Sequence, residues 1–419
     1  MTGLVIILDG IGDRPISRFG GKTPLEAART PNLDALARRG ITGLVRPLRP
    51  WIPVGTQVGA ALLMGLAPRD LTNLTRGPVE AAGVGLSLGK NDVAFRCNFA
   101  TLESNGVGFS IDDRRAGRID LGTVELARAL DGMELFGGVR VHFRASTQHR
   151  AVLKLEGNGL SPQVTDTDPG DGNGSSLVAC RPLEAGHADA ERTAGLVNEF
   201  IYRSSEVLSD HAVNMARIGR GLKPANGVLT RGAGSTAQLR NFLQHLGLHV
   251  TVITGGGTVR GLGNLFGFAL VRKPEFTATT DTDLDAKVRA TLVAMENSDI
   301  VFLHIKGPDV AAHDRDPERK RDFIEAVDAA VEPLLDREIV LAVAGDHSTD
   351  SNTGRHTGDA VPAVVTAPSC RKDGTAAYGE TACIVGGLGH VTATTFLTAV
   401  LDHMQVLHDY RAYEDDFIR

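Results

Sequence analysis

LAVAGDHSTD, residues 341–350, opens as an unbroken apolar run and ends on an acid and an imidazole. A short apolar run closed by glycine reads as a strand buried on both faces, as in a parallel sheet. In open α/β sheets, reactive groups gather just past the carboxyl ends of such strands. Working outward, the same texture recurs. FLHIKGPDVAAHD (302–314) runs from a strand into Asp309 and His313, four apart and so on one face of a helix. VIILDG (5–10) ends on Asp9, LAVAGDHSTD itself supplies Asp346 and His347, and GRHTGDAVP (354–362) offers His356.

Acidic and imidazole groups at strand ends suit divalent ions, and Mn²⁺, Zn²⁺, Mg²⁺ and Co²⁺ all accept such ligands. The chain reads as a two-metal enzyme. Two cations ~3.5–4 Å apart activate an oxygen nucleophile and neutralise a transferring phosphoryl group. IPVGTQVGAALLMG (52–65) reads as a glycine-containing turn followed by an apolar helix, with Thr56 near its start. Thr56 there is equally a metal-activated nucleophile or a plain N-cap.

The sequence predicts an α/β fold: a mainly parallel sheet with helices on both faces, interrupted by a smaller α+β insert. GVLT, HVTVI, DIVFLHI and IVLAVAG read as buried strands, with helices between them. Thr30 and Pro31 mark a helix start, as N-cap and first helical residue. From residue 92 the texture changes to short β-type runs (DVAFRCNFATL, VRVHFRAS, HRAVLKLEG), and TDTDPGDGNGSS leads back out. The expected division is a core of residues 1–91 and 190–419 around an insert of 92–189.

A net charge of −6 excludes a nucleic-acid role driven by overall charge, and a single Trp argues against base-stacking platforms. No apolar run approaches the ~20 residues of a membrane helix. Four cysteines without a CxxC pair fit a reduced, cytoplasmic setting. Arginines gather in DDRRAGRI (Arg114, Arg115, Arg118), with Arg96 and Asn98 in AFRCNF, Arg150, Arg231 in LTRGAG and Arg260 in TVRGLG. Guanidinium forks suit phosphate and carboxylate groups.

LDGIGDRP, TPNLDALA, RGPVEAAGVG, DVAFRCNFAT, DDRRAGRI, VTDTDP, LTRGAG, HIKGPDVAAHD and DHSTDSNTGRHTGDAVP span nearly the whole chain. Together they resemble the archaeal-type cofactor-independent phosphoglycerate mutases of the alkaline phosphatase superfamily. The resemblance implies an alkaline phosphatase-like metal core with an inserted lid domain. It implies one ion on Asp309, His313 and His356, and a second on Asp9, Thr56, Asp346 and His347. It also implies two in-line transfers: the nucleophile takes the phosphoryl group, glycerate reorients, and the group returns to the other hydroxyl.

The chain departs from the family pattern around the nucleophile. Where the family reads Ser, an acid and His, this chain has Thr56, Gln57 and Ala60. Gly354 replaces a usual Lys, and His390 a usual Arg. The β-branched Thr56 restricts its own χ1 and crowds the line of attack. Retained Arg motifs favour a phosphoglycerate-like substrate. An alternative is a phosphonate-pathway transferase, moving a phosphonyl group such as phosphonoformyl from a CMP-activated diester to phosphoglycerate. A third is a non-catalytic binding homologue.

Overall fold

The computed structural model describes residues 1–106, 108–170, 175–236 and 239–407. It forms two compact units, one of residues 1–71 with 239–419 and one of residues 72–238. In chain order the first unit contributes β1 (Gly3–Leu8) and β2 (Ile41–Arg46). The second holds β3 (Val93–Ser104), β4 (Phe109–Asp113), β5 (Glu134–Leu135), β6 (Val139–Ala145), β7 (Arg150–Glu156) and β8 (Gly227–Gly234). The first unit resumes with β9 (Val250–Ile253), β10 (Ala269–Val271), β11 (Ile300–Ile305) and β12 (Val340–Ala344). It ends with β13 (Ser348–Asp350), β14 (Arg355–Thr357), β15 (Val361–Thr366) and β16 (Gly389–Thr392).

The first unit is the expected α/β body. Its sheet runs β10-β9-β11-β1-β12-β15-β2-β16, and only β15 opposes its neighbours. All of β1, β11 and β12 is buried, which is why those strands read as apolar runs, with His304 the one polar residue among them. The register pairs Leu8 with Ile305 and Ile7 with Ala344. Asp9, Lys306 and Asp346 therefore leave the sheet at one edge. Thr30 is the N-cap of the helix Pro31–Arg39, but its side chain makes no capping bond. Asp328 takes that role, accepting from the backbone N–H groups of Asn32 and Leu33 at 3.2 and 2.8 Å.

The second unit is an antiparallel sheet, β4-β3-β7-β6-β5, with β8 on β3. This corrects the expected boundaries of 92–189. Residues 190–238 look locally like a return to alternating helix and strand. However, β8 pairs with β3 from Ala94 to Ala100, and the helix Ala188–Ser209 buries Ala190, Val197 and Phe200 in one core with Phe95, Phe99 and Phe143. The helix Arg76–Gly83 also belongs here: Gly77 lies so close to Ala94 that any side chain would overlap its carbonyl. Residues 171–174 of the expected return segment lie outside the described residues. Among the described residues, no helix is long and apolar enough to cross a membrane.

Candidate active site

Asp9 follows β1, and its turn is pinned twice. Its N–H donates to Ile305 O at 3.0 Å, and its carbonyl accepts from Asp309 N–H at 3.0 Å. Gly10 completes the turn at φ +65°, where a Cβ would sit 2.7 Å from Asp309 Cβ. Only glycine meets both demands. The helix Gly307–His313 then presents Asp309 and His313 one turn apart, as the spacing predicts.

Three imidazoles converge on Asp309. Its Oδ1 lies 3.2 Å from His347 Nε2, 3.3 Å from His313 Nε2 and 3.6 Å from His356 Nε2, and it accepts from Thr349 Oγ1 at 2.8 Å. His313 Nδ1 lies 2.8 Å from the Gly354 carbonyl, which fixes a proton on Nδ1. The Nε2 lone pair is thus turned inward, 3.1 Å from His356 Nε2. Asp309, His347 and His356 place donor atoms within 4.8 Å of one another, and so do Asp9, His304 and Asp346.

Asp9 anchors the second group. Its carboxylate accepts from Thr56 Oγ1 at 3.1 and 3.2 Å and from Lys306 Nζ at 3.0 Å, and lies 2.8 Å from His304 Nε2. Lys306 Nζ also reaches Asp309 Oδ2 at 2.7 Å and Thr56 Oγ1 at 3.1 Å. Asp346 Oδ1 accepts from Gly10 N–H at 3.1 Å, while its buried Oδ2 has no hydrogen-bond partner. Such an orphaned carboxylate oxygen is costly unless a cation takes it.

Burial opposes charge on Asp309, but the Lys306 ammonium and the facing His347 and His356 hold its carboxyl well below the usual range. Asp9 is lowered for a similar reason: burial is outweighed by Lys306, helped by His304. Burial would likewise neutralise His347, yet Asp346 and Asp309 push it up to about 10. The fully buried Asp9 and Asp346 and the nearly buried Asp309 thus share one cluster with the cationic Lys306 and His347. Carboxylates, imidazoles and a hydroxyl in this arrangement fit divalent cations.

Thr56 is the first residue of the helix Thr56–Leu63, and Gly55 is its N-cap. The N-cap reading of Thr56 is therefore set aside. His347 also differs from its expected place with Asp9: it lies 3.2 Å from Asp309 but 3.8 Å from Asp9 Oδ1, while its Nδ1 is 2.9 Å from Asp346 Oδ1. It touches both groups. His304 and Lys306 were not anticipated as site residues. Thr254 Oγ1, itself accepting from Gly256 N–H at 3.0 Å, lies 3.0 Å from His304 Nδ1 and orients the ring toward Asp9.

The second unit carries the arginines. Strand register sets Asn98 opposite Arg150 and Arg96 opposite Arg231. Asp168 organises the group. It accepts a fork from Arg114 at 2.7 and 2.8 Å, with Asn98 Nδ2 at 3.5 Å and Arg231 Nη1 at 3.8 Å. Burial, then the neighbouring charges of Arg76 and Arg150, lower Arg96 to about 9. His149 falls to about 3 through burial and the charges of Arg150, Arg115, Arg96 and Arg118, and stays neutral near pH 7. Arg96 Nε, Asn98 Oδ1 and His149 Nδ1 are buried without hydrogen-bond partners. Arg76 joins this group unannounced, because at a helix start it reads as an ordinary surface residue. Arg260 stands apart from it in chain terms: it belongs to the first unit, on the helix Gly257–Leu265.

The family model for 2,3-bisphosphoglycerate-independent phosphoglycerate mutase matches residues 37–214. The chain is 39% identical to the mutase of that name from Methanosphaera stadtmanae, over 98% of this chain and all of the relative. It is 40% identical to the one from Methanoculleus marisnigri, over 98% of each chain. A solved protein structure from Pyrococcus horikoshii superposes with a TM-score of 0.83 at 30% identity, covering 97% of this chain and 98% of the other. The cofactor-independent phosphoglycerate mutase of Thermoplasma acidophilum gives 0.67 at 30% identity, covering 96% and 100%. With full-length identity near 40% and shared architecture, the chain belongs to the 2,3-bisphosphoglycerate-independent phosphoglycerate mutase family.

Proposed function

We propose that this protein interconverts 3- and 2-phosphoglycerate through a phosphothreonine at Thr56. The observation that carries the reading is the placement of Thr56 Oγ1, 3.1 Å from both Asp9 Oδ2 and Lys306 Nζ and beside a set of convergent ligand atoms. The hydroxyl hydrogen points to the Asp9 carboxylate, leaving oxygen electrons for attack in line with the phosphoryl group. A Thr56 Oγ–P bond forms as the substrate's P–O bond breaks; the Thr56 proton passes to the Asp9 carboxylate, the departing glycerate oxygen takes one from solvent water, and both transfers reverse in the second half. Lys306 offers its ammonium to negative charge growing near Thr56. Reversal onto the other glycerate hydroxyl regenerates Thr56. We assign Asp309, His313 and His356 to one divalent cation and Asp9, Thr56, Asp346 and His347 to a second, with His347 also facing the first. Bound there, the cations would lower the hydroxyl's pKa and neutralise phosphoryl charge.

The basic cluster of the second unit has the chemistry to bind a phosphorylated carboxylate. Arg96, Asn98, Arg114, Arg118 and Arg231 are assigned to recognition, and Arg260 is assigned with them on its sequence motif. Replacing Arg96 by Met is expected to raise KM for 3-phosphoglycerate about tenfold or more, the worth of one charge-assisted contact. Steady-state kinetics checks this, and an unchanged KM rejects the assignment.

The decisive assay is phosphorus NMR of the Mn²⁺-loaded protein with 3-phosphoglycerate. Appearance of 2-phosphoglycerate supports the reading. Its absence with Mn²⁺, Mg²⁺, Zn²⁺ and Co²⁺ alike overturns it. Chelation is expected to abolish turnover and re-addition of a divalent ion to restore it. Full activity in a chelated, metal-free sample would remove the cations from the proposal.

A further inference from the structure

Two glycines bracket Thr56 one helical turn apart, and each faces a different member of the ligand set. A Cβ on Gly55 would lie 2.9 Å from His356 Cε1 and 3.1 Å from its Nδ1. A Cβ on Gly59 would overlap the Asp346 carbonyl oxygen, 2.7 Å from that carbonyl carbon and 3.1 Å from Asp346 Cβ. Gly59 is helical, so its backbone conformation is open to any residue, and the constraint is space alone. Backbone atoms cannot yield as a flexible side-chain tip does. The neighbouring Ala60 and Ala61 are fully buried, and the helix Ala393–His403 packs on this helix, which leaves it little room to retreat.

We infer that Gly59, with Gly55, is a positioning residue that sets the depth of Thr56. The absence of a side chain at Gly59 lets the helix Thr56–Leu63 seat its first turn on the Asp346 peptide. That contact fixes how far Thr56 Oγ1 stands from Asp9 and Lys306. Because Thr56 is β-branched, its hydroxyl has few rotamers with which to absorb a displacement of the backbone. The extra methyl at Thr56 and the missing one at Gly59 are therefore coupled. A serine at 56 could rotate to recover the distance, whereas the threonine cannot. This inference rests on the proposed nucleophilic role of Thr56.

The test is a set of four variants: Gly59→Ala, Thr56→Ser, the double change, and Thr56→Ala. Gly59→Ala is expected to lower kcat for 3-phosphoglycerate about tenfold or more while KM stays within about twofold. Measured against Thr56→Ser, whatever that variant's own kcat, the double variant should lose far less turnover than Gly59→Ala loses against wild type. A purely structural role predicts the same loss in both the Thr and Ser backgrounds, and that result overturns the inference. So does an unchanged kcat in Gly59→Ala. Mn²⁺ titration calorimetry gives a reading independent of turnover. Displacing Asp346 should weaken one of two binding events several-fold in Gly59→Ala and spare the other, and unchanged affinity for both counts against the inference. Thr56→Ala separates the two ideas. If it turns over normally, the nucleophile reading falls and takes this one with it. If it is inactive while Gly59→Ala behaves as wild type, only the positioning role falls.

Discussion

Thr56→Ala should lower turnover of 3-phosphoglycerate by roughly 10³-fold or more, the scale of losing a nucleophile that acts with a fixed supporting set. Thr56 Oγ1 is the hydroxyl standing between the Asp9 carboxylate and the Lys306 ammonium. Alanine leaves both charged groups in place and takes away the only atom proposed to form the bond to phosphorus. The fold should be untouched, since Gly55 rather than Thr56 is the N-cap of this helix and the Thr56 hydroxyl bonds site residues, Asp9 and Lys306. Thermal unfolding of the variant is therefore expected to match wild type. Brief incubation of wild type with substrate, acid quench and peptide mass spectrometry should find a phosphate on Thr56, and the variant should carry none. An alanine variant retaining more than a tenth of wild-type turnover would remove Thr56 from the chemistry.

The largest expected effect on stability lies at Lys320. This lysine on the helix Pro317–Ala330 is wholly buried. Its ammonium spends all three donors, on Asp13 Oδ2 at 2.8 Å, Gly12 O at 3.0 Å and Thr349 O at 3.1 Å. Asp13 is further satisfied by Ser351, through N–H at 2.9 Å and Oγ at 2.5 Å. Lys320→Met leaves the Asp13 carboxylate and two carbonyls without their cation. Removing one partner of a buried pair costs ~3–5 kcal/mol, mostly from the charge left behind. Urea unfolding should show that loss. Pairing Lys320→Met with Asp13→Leu should recover part of it, because no stranded charge remains. A single variant within about 1 kcal/mol of wild type would show that water or rearrangement satisfies Asp13. The same ammonium ties the segment after Asp9 to Thr349, whose hydroxyl bonds Asp309. Loss of Lys320 should therefore also loosen divalent-ion binding.

The parallel body was legible because β1, β11 and β12 are covered on both faces and so appear as apolar runs, broken in β11 by His304 alone, that lead to Asp9, Lys306 and Gly345-Asp346. The shared helix face of Asp309 and His313 was legible from their spacing. Two residues inside the quoted stretch escaped notice. His304 lies within a buried strand, where an imidazole looks like a satisfied core residue, and only the fold brings Asp9 to its Nε2. Lys306 looks like a solvated strand end, and its two carboxylate partners lie on different segments. The boundary of the second unit was misread because β8 and the helix before it carry ordinary α/β texture. Their allegiance is set by pairing with β3, more than a hundred residues away, which no local pattern encodes. Arg96 and Arg231 are neighbours through that pairing, and Asn98 and Arg150 through the pairing of β3 with β7.

The position of β1 has a consequence for synthesis. Its sheet neighbours are β11 and β12, so GLVIIL leaves the ribosome about 300 residues ahead of any partner. At ~5–20 residues per second that interval is roughly 15–60 s. Residues 72–238 are contiguous and can close their own core meanwhile. β1 has no such recourse: it stays without its sheet neighbours until β11 and β12 have been made.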